Sequence, residues 1–275
     1  MKNKTIAFIG AGNMASSLIG GLVAKGWQAD HLFVSDPVQE QCQRLAAAYG
    51  VQACRDNNTA VAQADVLILA IKPQVMRDVL LGIKNAVEQK RPLVISIAAG
   101  IPLSAITDIL GSGIAVVRCM PNTPAMVGMG ATGLIANKQT SMDDKNLAQN
   151  ILAAVGIALW LENENQIDAV TALSGSGPAY YFLVMEAMIA AGISLGLDAQ
   201  TARTLTLQTA LGAATMAQRS DVAPAELRRR VTSPGGTTEQ ALRCFEEGNL
   251  VPLFATAMAA AEKRSKELAI NAANP

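Results

Sequence analysis

Along the first 160 residues, short runs of apolar, largely β-branched residues alternate with segments of helical periodicity. The predicted strands are Thr5–Ile9, Leu32–Ser35, Val66–Ile71, Leu93–Ile97, Ile114–Cys119, Ala131–Ala136 and Ile157–Leu161. The predicted helices between them are Met14–Lys25, Gln39–Tyr49, Gln74–Gln89 and Asp143–Val155. Because apolar strands that alternate with helices are typical of a parallel sheet covered on both faces, the pattern predicts a doubly wound α/β domain over residues 1–161.

After about Glu162 the strand signals stop and only helical patterns follow. The predicted helices are Ile167–Leu173, Pro178–Leu197, Ala199–Gln218, Pro224–Val231, Glu239–Glu247 and Pro252–Leu268. We therefore predict an all-helical domain over residues 162–275, ending in a loose tail, Asn271–Pro275. The stretch Ala179–Leu197 carries a single charge, Glu186, which favours a helix buried on all sides, in a core or between subunits, over a membrane span.

The composition is poor in charge, with 16% charged and 51% hydrophobic residues, against roughly 25% and 45–50% in typical soluble domains. A subunit interface would explain this shortfall, so we expect a homo-oligomer. The 22 basic and 22 acidic residues balance, so the chain has no net positive charge that would attract nucleic acid. The four cysteines are far apart in the chain, which argues against a metal site or a disulfide framework and fits a cytoplasmic location. Glycines interrupt the apolar N-terminus too often for a signal peptide.

A glycine-rich turn follows the first predicted strand. Residues Gly10–Ala15 have the pattern GxGxxA, in which Gly10 makes the bend, Gly12 admits a pyrophosphate and Ala15 lets the helix pack on the strand. Asp36 follows 21 residues after Ala15, at the end of the second predicted strand. This context predicts a dinucleotide site in a Rossmann-like domain.

The residues leave the choice of dinucleotide open. Asp36 suits the two ribose hydroxyls of NAD, whereas the 2′-phosphate of NADP usually requires an arginine, and none precedes Arg44. Ser35, Asn57 and Asn58 carry donors that suit a phosphate. NADP and NAD are therefore both candidates.

Two further strand exits, Ala70–Pro73 and Cys119–Pro124, are expected at the carboxyl edge of the sheet, where doubly wound folds bind their ligands. A proline after an exit also serves simply to end a strand. Lys72 and Asn122 are candidates for the nicotinamide side, with a solvated edge lysine as the alternative for Lys72.

The helical half contains neither lysine nor histidine between Asn146 and Glu262. Hydride reduction of a carbonyl normally requires a positioned acid such as His, Lys or Tyr to protonate the developing alkoxide. A cyclic imine does not, because its nitrogen is protonated before the hydride arrives. The lack of a lysine or histidine proton donor in this segment thus favours an imine substrate.

A polar turn, Ser233–Thr238, interrupts the alanine-rich helical half. Ser233 and Thr237 are predicted to cap the following helix, and Gly235 and Gly236 are predicted to present free N–H groups to a small anion such as a carboxylate. The alternative is an ordinary helix-turn-helix elbow.

Two further side chains suit such a substrate. Thr238 offers a hydroxyl to orient the ring nitrogen, and Glu164 offers negative potential for a cationic nitrogen. The alternative for Glu164 is a solvated turn.

At this level of detail the chain resembles the pyrroline-5-carboxylate reductase family. The matching segments are Phe8–Met14, Ala70–Pro73, Arg118–Pro124, Asp168–Tyr180 and Val231–Thr238. The resemblance implies NAD(P)H-dependent reduction of 1-pyrroline-5-carboxylate to L-proline, generally with NADPH preferred. It also implies a dimer whose helical domains interleave.

The resemblance also assigns roles to individual residues. The cofactor contacts implied, together with the glycines of the turn and Asp36, are Gly10, Ala11, Gly12, Asn13, Met14, Ser35, Asp36, Pro37, Asn57, Ala70, Ile71, Lys72, Pro73 and Ala98. The substrate contacts, including those of the anion-binding turn, are Glu164, Ser233, Gly236, Thr237 and Thr238, with Thr238 as the catalytic residue. Two departures are Asp36, where NADPH-using members often carry a neutral or basic residue, and Thr237, where alanine is common.

Two other classes remain as alternatives. A 3-hydroxyacid-type dehydrogenase shares the two-domain plan but needs a catalytic lysine in the helical half, and no lysine occurs between Asn146 and Glu262. A non-catalytic nucleotide-sensing module would have no use for an anion-binding turn of substrate size.

Overall fold

The computed structural model describes residues 3–273. The first part of the chain folds into strands β1 (Ile6–Ile9), β2 (Leu32–Ser35), β3 (Gln52–Ala53), β4 (Val66–Leu69), β5 (Leu93–Ser96), β6 (Val116–Met120), β7 (Gly130–Ala136) and β8 (Gly156–Trp160). Its helices are α1 (Asn13–Ala24), α2 (Gln39–Tyr49), α3 (Asn57–Gln63), α4 (Met76–Lys90), α5 (Leu103–Leu110), α6 (Met142–Leu152) and α7 (Gln166–Val170).

The strands form one sheet of order β3-β2-β1-β4-β5-β6-β7-β8. The chain reverses its direction of winding between β1 and β4, so ligands are expected at the carboxyl ends of these two strands. The predicted doubly wound architecture is confirmed. The expectation of an all-parallel sheet was wrong in one place, because β7 pairs antiparallel with β6 through a short connection that has no room for a crossover helix.

Two apolar cores lie on the two faces of this sheet. Phe8 and Leu22 belong to one core, and Ile9 and Leu80 belong to the other, all of them at most 1% exposed. Alternate residues of β1 thus point to opposite faces, which is why the strand reads as continuously apolar. Each fully buried side chain of this size contributes about 1.5–3 kcal/mol of transfer free energy, and the sheet edge is therefore a rigid platform.

The seven predicted strands are all present, and three short elements were missed. Helix α3 has seven residues and α5 has eight, too few to show a clear periodicity in sequence. Strand β3 has only two residues and exists because it pairs in parallel with β2.

The last part of the chain is helical, as predicted, with helices α8 (Gly177–Ser194), α9 (Ala199–Arg219), α10 (Pro224–Arg230), α11 (Thr237–Glu247) and α12 (Leu250–Ala273). By packing, residues 177–259 form one compact unit, and residues up to Ser176 form another together with the chain from Ala260. The functional boundary at residues 161 and 162 stays a prediction. The expected tail at Asn271–Pro275 was wrong for residues 271–273, which continue α12, while the last two residues lie outside the described range.

Helix α8 is not buried within its own subunit. Phe182 is 62% exposed and Leu183 is 66% exposed, and the core alternative for this helix was therefore wrong. The subunit-interface alternative is the one that fits an apolar helix with so much free surface. Among residues 3–273, no helix is long and apolar enough to cross a membrane.

Candidate active site

The glycine turn after β1 lies against the exit of β4. Gly10 has a φ of +101°, and a Cβ added there would lie 2.3 Å from the carbonyl oxygen of Ala70. Both the backbone conformation and the lack of space exclude any side chain. Gly10 therefore holds two neighbouring strand exits in contact, at the point where the winding reverses.

Gly12 is a glycine for a different reason. A Cβ added at Gly12 would meet no protein atom within 4 Å. Gly12 is the N-cap of α1 without a side-chain cap, and the N–H groups of Asn13 and Met14 have no acceptor within the described chain. Open space in front of free N–H groups at a helix start fits the pyrophosphate of a dinucleotide.

Asp36 connects this turn to the exit of β2. Its Oδ2 accepts a hydrogen bond of 2.9 Å from the N–H of Ala11, and its Oδ1 accepts one of 2.8 Å from the N–H of Val38. Each carboxylate oxygen thus already binds one backbone donor. Asp36 shapes the loop at the adenosine side of the predicted site as well as contributing its charge.

The other predicted phosphate donors also meet at this exit. The hydroxyl of Ser35 donates to Oδ1 of Asn57 at 2.8 Å, which leaves the Asn57 amide N–H groups to donate outward. Pro37 is exposed beside them. Ser35, Pro37 and Asn57 therefore lie together, although they come from two different strand exits.

The remaining predicted cofactor residues follow β4 and β5. Ala70, Ile71 and Pro73 are partly buried, whereas Lys72 is exposed and has no ion-pair partner in the described part of the chain. Ala98 is 5% exposed, and its N–H contacts the hydroxyl of Ser96 at 3.4 Å. All of them line the same carboxyl edge of the sheet.

Glu164 lies within the sheet unit and is not a free turn residue. Its Oε1 accepts hydrogen bonds from Nη1 of Arg118, at 2.7 Å, and from the N–H of Leu103, at 2.8 Å. Arg118 is 3% exposed and stands within the apolar strand β6. The sequence signal was available, since a charged residue inside a buried strand requires a partner, but the partner cannot be read from the chain.

Asn122 follows β6 and bridges two segments. Its Oδ1 accepts from the N–H of Ala131 at 2.9 Å, and its Nδ2 donates to the carbonyl of Ser174 at 3.0 Å. Ser174 belongs to a π-helical turn, Thr171–Gly175, that sequence reasoning missed. Single π turns are frequent at functional sites, and this one begins directly after α7.

The polar turn Ser233–Thr238 lies in the helical unit. The predicted side-chain caps were wrong: Gly236 is the N-cap of α11, which begins at Thr237, and no side chain caps it. The predicted free N–H groups of Gly235 and Gly236 were also wrong, because Gly235 donates to Oε2 of Glu239 at 2.8 Å and Gly236 donates to the carbonyl of Ser233 at 3.0 Å.

The free donors of this turn are instead the next two residues. The N–H groups of Thr237 and Thr238 have no acceptor among residues 3–273, and both side chains are exposed. The first N–H groups of a helix point along its axis and carry its positive dipole end. The turn thus presents two free N–H groups at a helix start beside the Thr238 hydroxyl.

Cys119 lies buried in strand β6, next to Arg118. Burial raises the pKa of the Cys119 thiol far above its ordinary value, so the thiolate does not form. Within residues 3–273, no three His, Cys, Asp or Glu side chains are grouped as metal ligands.

The fold and the dinucleotide edge define an oxidoreductase of the Rossmann type that uses a nicotinamide dinucleotide. Residues 5–100 match a family model described as "NADP oxidoreductase coenzyme F420-dependent", and residues 164–268 match one described as "Pyrroline-5-carboxylate reductase dimerisation". A pyrroline-5-carboxylate reductase from Pseudomonas aeruginosa is 54% identical, with 98% of each chain covered. The chain belongs to the pyrroline-5-carboxylate reductase family.

Solved structures agree with this assignment. A pyrroline-5-carboxylate reductase from Coxiella burnetii is 45% identical with a TM-score of 0.92, covering 96% of this chain and 98% of that one. A Plasmodium falciparum pyrroline carboxylate reductase with NADP bound is 30% identical with a TM-score of 0.88, covering 98% and 99%. The predicted family, fold class and oxidoreductase class are confirmed, and the helical part is a dimerisation domain of a homo-oligomer.

Proposed function

We propose that this protein reduces 1-pyrroline-5-carboxylate to L-proline with NADPH, the last step of proline biosynthesis. The observation that carries the proposal is the start of α11, where the free N–H groups of Thr237 and Thr238 stand beside an exposed threonine hydroxyl. Such a site suits a substrate with a carboxylate next to a ring nitrogen. Family membership supplies the reaction class.

The cofactor site we propose follows the carboxyl edge of the sheet. The open space at Gly12 and the free N–H groups of α1 fit a pyrophosphate, and the loop shaped by Asp36 fits the adenosine ribose. Bound NADPH supplies a hydride. The residues we assign to the cofactor are Gly10, Ala11, Gly12, Asn13, Met14, Ser35, Asp36, Pro37, Asn57, Ala70, Ile71, Lys72, Pro73 and Ala98. NADH remains the second candidate because Asp36 is anionic.

The substrate is held by the dimerisation domain in this proposal. The helix start with Ser233, Gly236 and Thr237 binds the carboxylate, and the Thr238 hydroxyl orients the ring nitrogen. Glu164 stabilises the positive charge on that nitrogen. As the C=N carbon gains the hydride, the π electrons move to the protonated nitrogen, which becomes a neutral amine. No side chain has to give up a proton, which agrees with the lack of lysine and histidine between Asn146 and Glu262.

We further infer that two subunits interleave through α8 and its neighbours. Tyr181, Phe182 and Leu183 are each more than 60% exposed in a single subunit, and such a continuous apolar surface requires cover. A cytoplasmic location is supported by four free cysteines.

The proposal is tested by supplying the purified protein with 1-pyrroline-5-carboxylate and either NADPH or NADH. We expect one proline formed for each NADPH oxidised, and faster turnover with NADPH. Oxidation of the dinucleotide without proline, or no turnover with either cofactor, would contradict the proposal.

Thr238→Val tests the role of the hydroxyl, because valine keeps the shape and removes the donor. We expect kcat to fall roughly 100-fold, as for the loss of one preorganised donor at a reacting centre, while the Kd for NADPH stays unchanged. The matched control is Thr107→Val on α5, whose hydroxyl only bonds the carbonyl of Ser104. Equal turnover in both variants would remove Thr238 from the mechanism.

A further inference from the structure

Arg118 is a cation buried in a strand. It is 3% exposed, and its neighbours in β6, Val117 and Cys119, are at most 1% exposed. Removing a charge from water is costly unless partners replace the lost hydration. The partners of Arg118 therefore indicate what this buried charge does in the protein.

Within residues 3–273, the one anion that Arg118 binds is Glu164, and Glu164 accepts this bond through a single oxygen. Nη1 of Arg118 and the N–H of Leu103 converge on Oε1 of Glu164, at 2.7 and 2.8 Å. Oε2 has no hydrogen-bond partner among residues 3–273, and 31% of the Glu164 side chain is exposed. One carboxylate oxygen is thus fixed from inside the protein, and the other is available to a donor from outside.

The rest of the Arg118 guanidinium is also unsatisfied. Nε and Nη2 are buried and have no partner in the described structure. These two N–H groups form one edge of the planar guanidinium, the edge that binds carboxylates in a bidentate manner. Arg118 therefore holds more donor capacity than its bond to Glu164 uses, and the positive charge of the guanidinium favours a carboxylate beside it.

We propose that Arg118 is a positioning residue for the reduction, which fixes Glu164 as an anion whose Oε2 meets the positively charged nitrogen of the substrate. This inference rests on the proposed function. Glu164 acts by its charge and exchanges no proton, because the iminium nitrogen needs none once the hydride has added to carbon. Arg118 touches neither substrate nor cofactor and acts only through Glu164.

Other charged side chains lie on the same turn and on α5, α7 and α12, and within the described chain no hydrogen bond or ion pair joins them to Glu164. Glu162 is exposed on the same turn, Asp108 is exposed on α5, and Asp168 on α7 accepts a 2.7 Å hydrogen bond from Ser265. Lys266 on α12 is paired with Glu262 at 2.7 Å. Within the described chain, Arg118 is the cation that bonds Glu164 directly.

The test is the steady-state kinetics of 1-pyrroline-5-carboxylate reduction by the full-length oligomer, with Arg118→Gln, Arg118→Lys, Glu164→Gln and the double variant Arg118→Gln/Glu164→Gln. We expect Arg118→Gln and Glu164→Gln each to lower kcat/KM about ten-fold or more, because each change removes the positioned negative charge from the substrate nitrogen. Arg118→Lys keeps a cation beside Glu164 and should restore part of the loss.

The double variant separates positioning from folding. Removing both partners leaves no unpaired buried charge, so this protein should fold, and its kcat/KM should match that of Glu164→Gln within about two-fold. The Kd for NADPH and the effect of Arg44→Gln, an exposed arginine on α2, serve as controls. The inference is overturned if Arg118→Gln leaves kcat/KM unchanged, or if it slows the Glu164→Gln protein as much as the unmodified one. Lack of turnover in the unmodified protein would instead remove the proposed reaction, and this inference with it.

Discussion

The N–H of Ala11 donates to Oδ2 of Asp36 at 2.9 Å, so the glycine turn after β1 is anchored by a carboxylate at the end of β2. The other oxygen of Asp36 accepts from the N–H of Val38 at 2.8 Å. In related folds an acidic residue at this place binds the ribose of NAD directly. In this chain Asp36 also determines the shape of the loop, because each of its carboxylate oxygens accepts a backbone hydrogen bond.

Asp36→Asn should weaken both cofactors and change their ratio. Asparagine has one acceptor oxygen, so one of the two backbone N–H groups loses a charge-assisted bond of about 1.5–3 kcal/mol. We expect the Kd for NADH to rise about ten-fold or more and the Kd for NADPH to rise less, because loss of the negative charge favours the 2′-phosphate. Fluorescence titration measures both constants, with Asp30→Asn, an exposed acid at the opposite end of β2, as the control. Unchanged constants for both cofactors would refute the anchoring role.

Substituting alanine for Gly10 should lower stability, whereas substituting alanine for Gly12 should lower the affinity for NADPH. Gly10→Ala places a Cβ 2.3 Å from the carbonyl of Ala70 at a φ of +101°, so we expect a loss of at least about 3 kcal/mol of unfolding free energy. Gly12→Ala meets no protein atom within 4 Å, so the melting temperature should stay within a few degrees while NADPH affinity falls about ten-fold or more. Thermal melts and NADPH titration separate the two effects. A Gly12→Ala protein that is destabilised but binds NADPH with unchanged affinity would contradict this prediction.

Asn122→Ala should lower both stability and turnover. The substitution leaves the N–H of Ala131 and the carbonyl of Ser174 without partners, at about 1–3 kcal/mol for each buried group. Because Ser174 belongs to the π turn, we expect kcat to fall as well. Urea unfolding and steady-state kinetics measure the two quantities.

Asn137 provides the matched control for this substitution. It makes the same kind of bridge away from the site, accepting from the N–H of Val116 at 3.1 Å and donating to the carbonyl of Ile114 at 2.8 Å. Asn137→Ala should therefore cost comparable stability and leave kcat unchanged. Equal losses of kcat in both variants would show that the π turn has no special role.

Asp56 should make stability depend on pH in the acid range. It is the N-cap of α3, and hydrogen bonds from the backbone N–H and the hydroxyl of Thr59 lower its pKa below the ordinary value. A carboxyl with a lowered pKa contributes stability that is fully present above its unfolded pKa, about 3.9, and that is lost as pH falls through the folded pKa.

Asp56→Asn keeps a capping oxygen and removes the carboxyl group that titrates. The melting temperatures of the two proteins should converge at low pH and separate above roughly pH 4. Glu40→Gln, an exposed acid on α2, should show no such separation. A gap between Asp56→Asn and the unmodified protein that is constant from pH 3 to 7 would contradict the assignment.

The parts of the site that the sequence predicted are local ones. The requirement for glycine at position 10 follows from the turn itself. A helix start after Gly235 and Gly236 was also predicted, at Glu239, and the structure places it two residues earlier, at Thr237. What the sequence missed there was which N–H groups remain free, because Glu239 folds back onto Gly235. That choice depends on the rotamer of one side chain, which no periodicity records.

Contacts between distant residues could not be predicted. Arg118 and Glu164 are 46 residues apart, and Ser265 and Asp168 are 97 residues apart. Each pair exists because the strand order places β6 beside α7, or because α12 returns to the sheet unit. A sequence shows that a buried charge needs a partner, and it does not show which one.

The sequence by itself determined the alternation of strands and helices, the dinucleotide turn and the family, because burial periodicity and backbone sterics act over a few neighbouring residues. The tertiary structure alone decided the antiparallel strand β7, the anchoring of Asp36 and the ion pair of Arg118 with Glu164. These depend on which segments the sheet brings side by side, and hydrogen bonds between them form only once that packing has fixed both partners within about 3 Å.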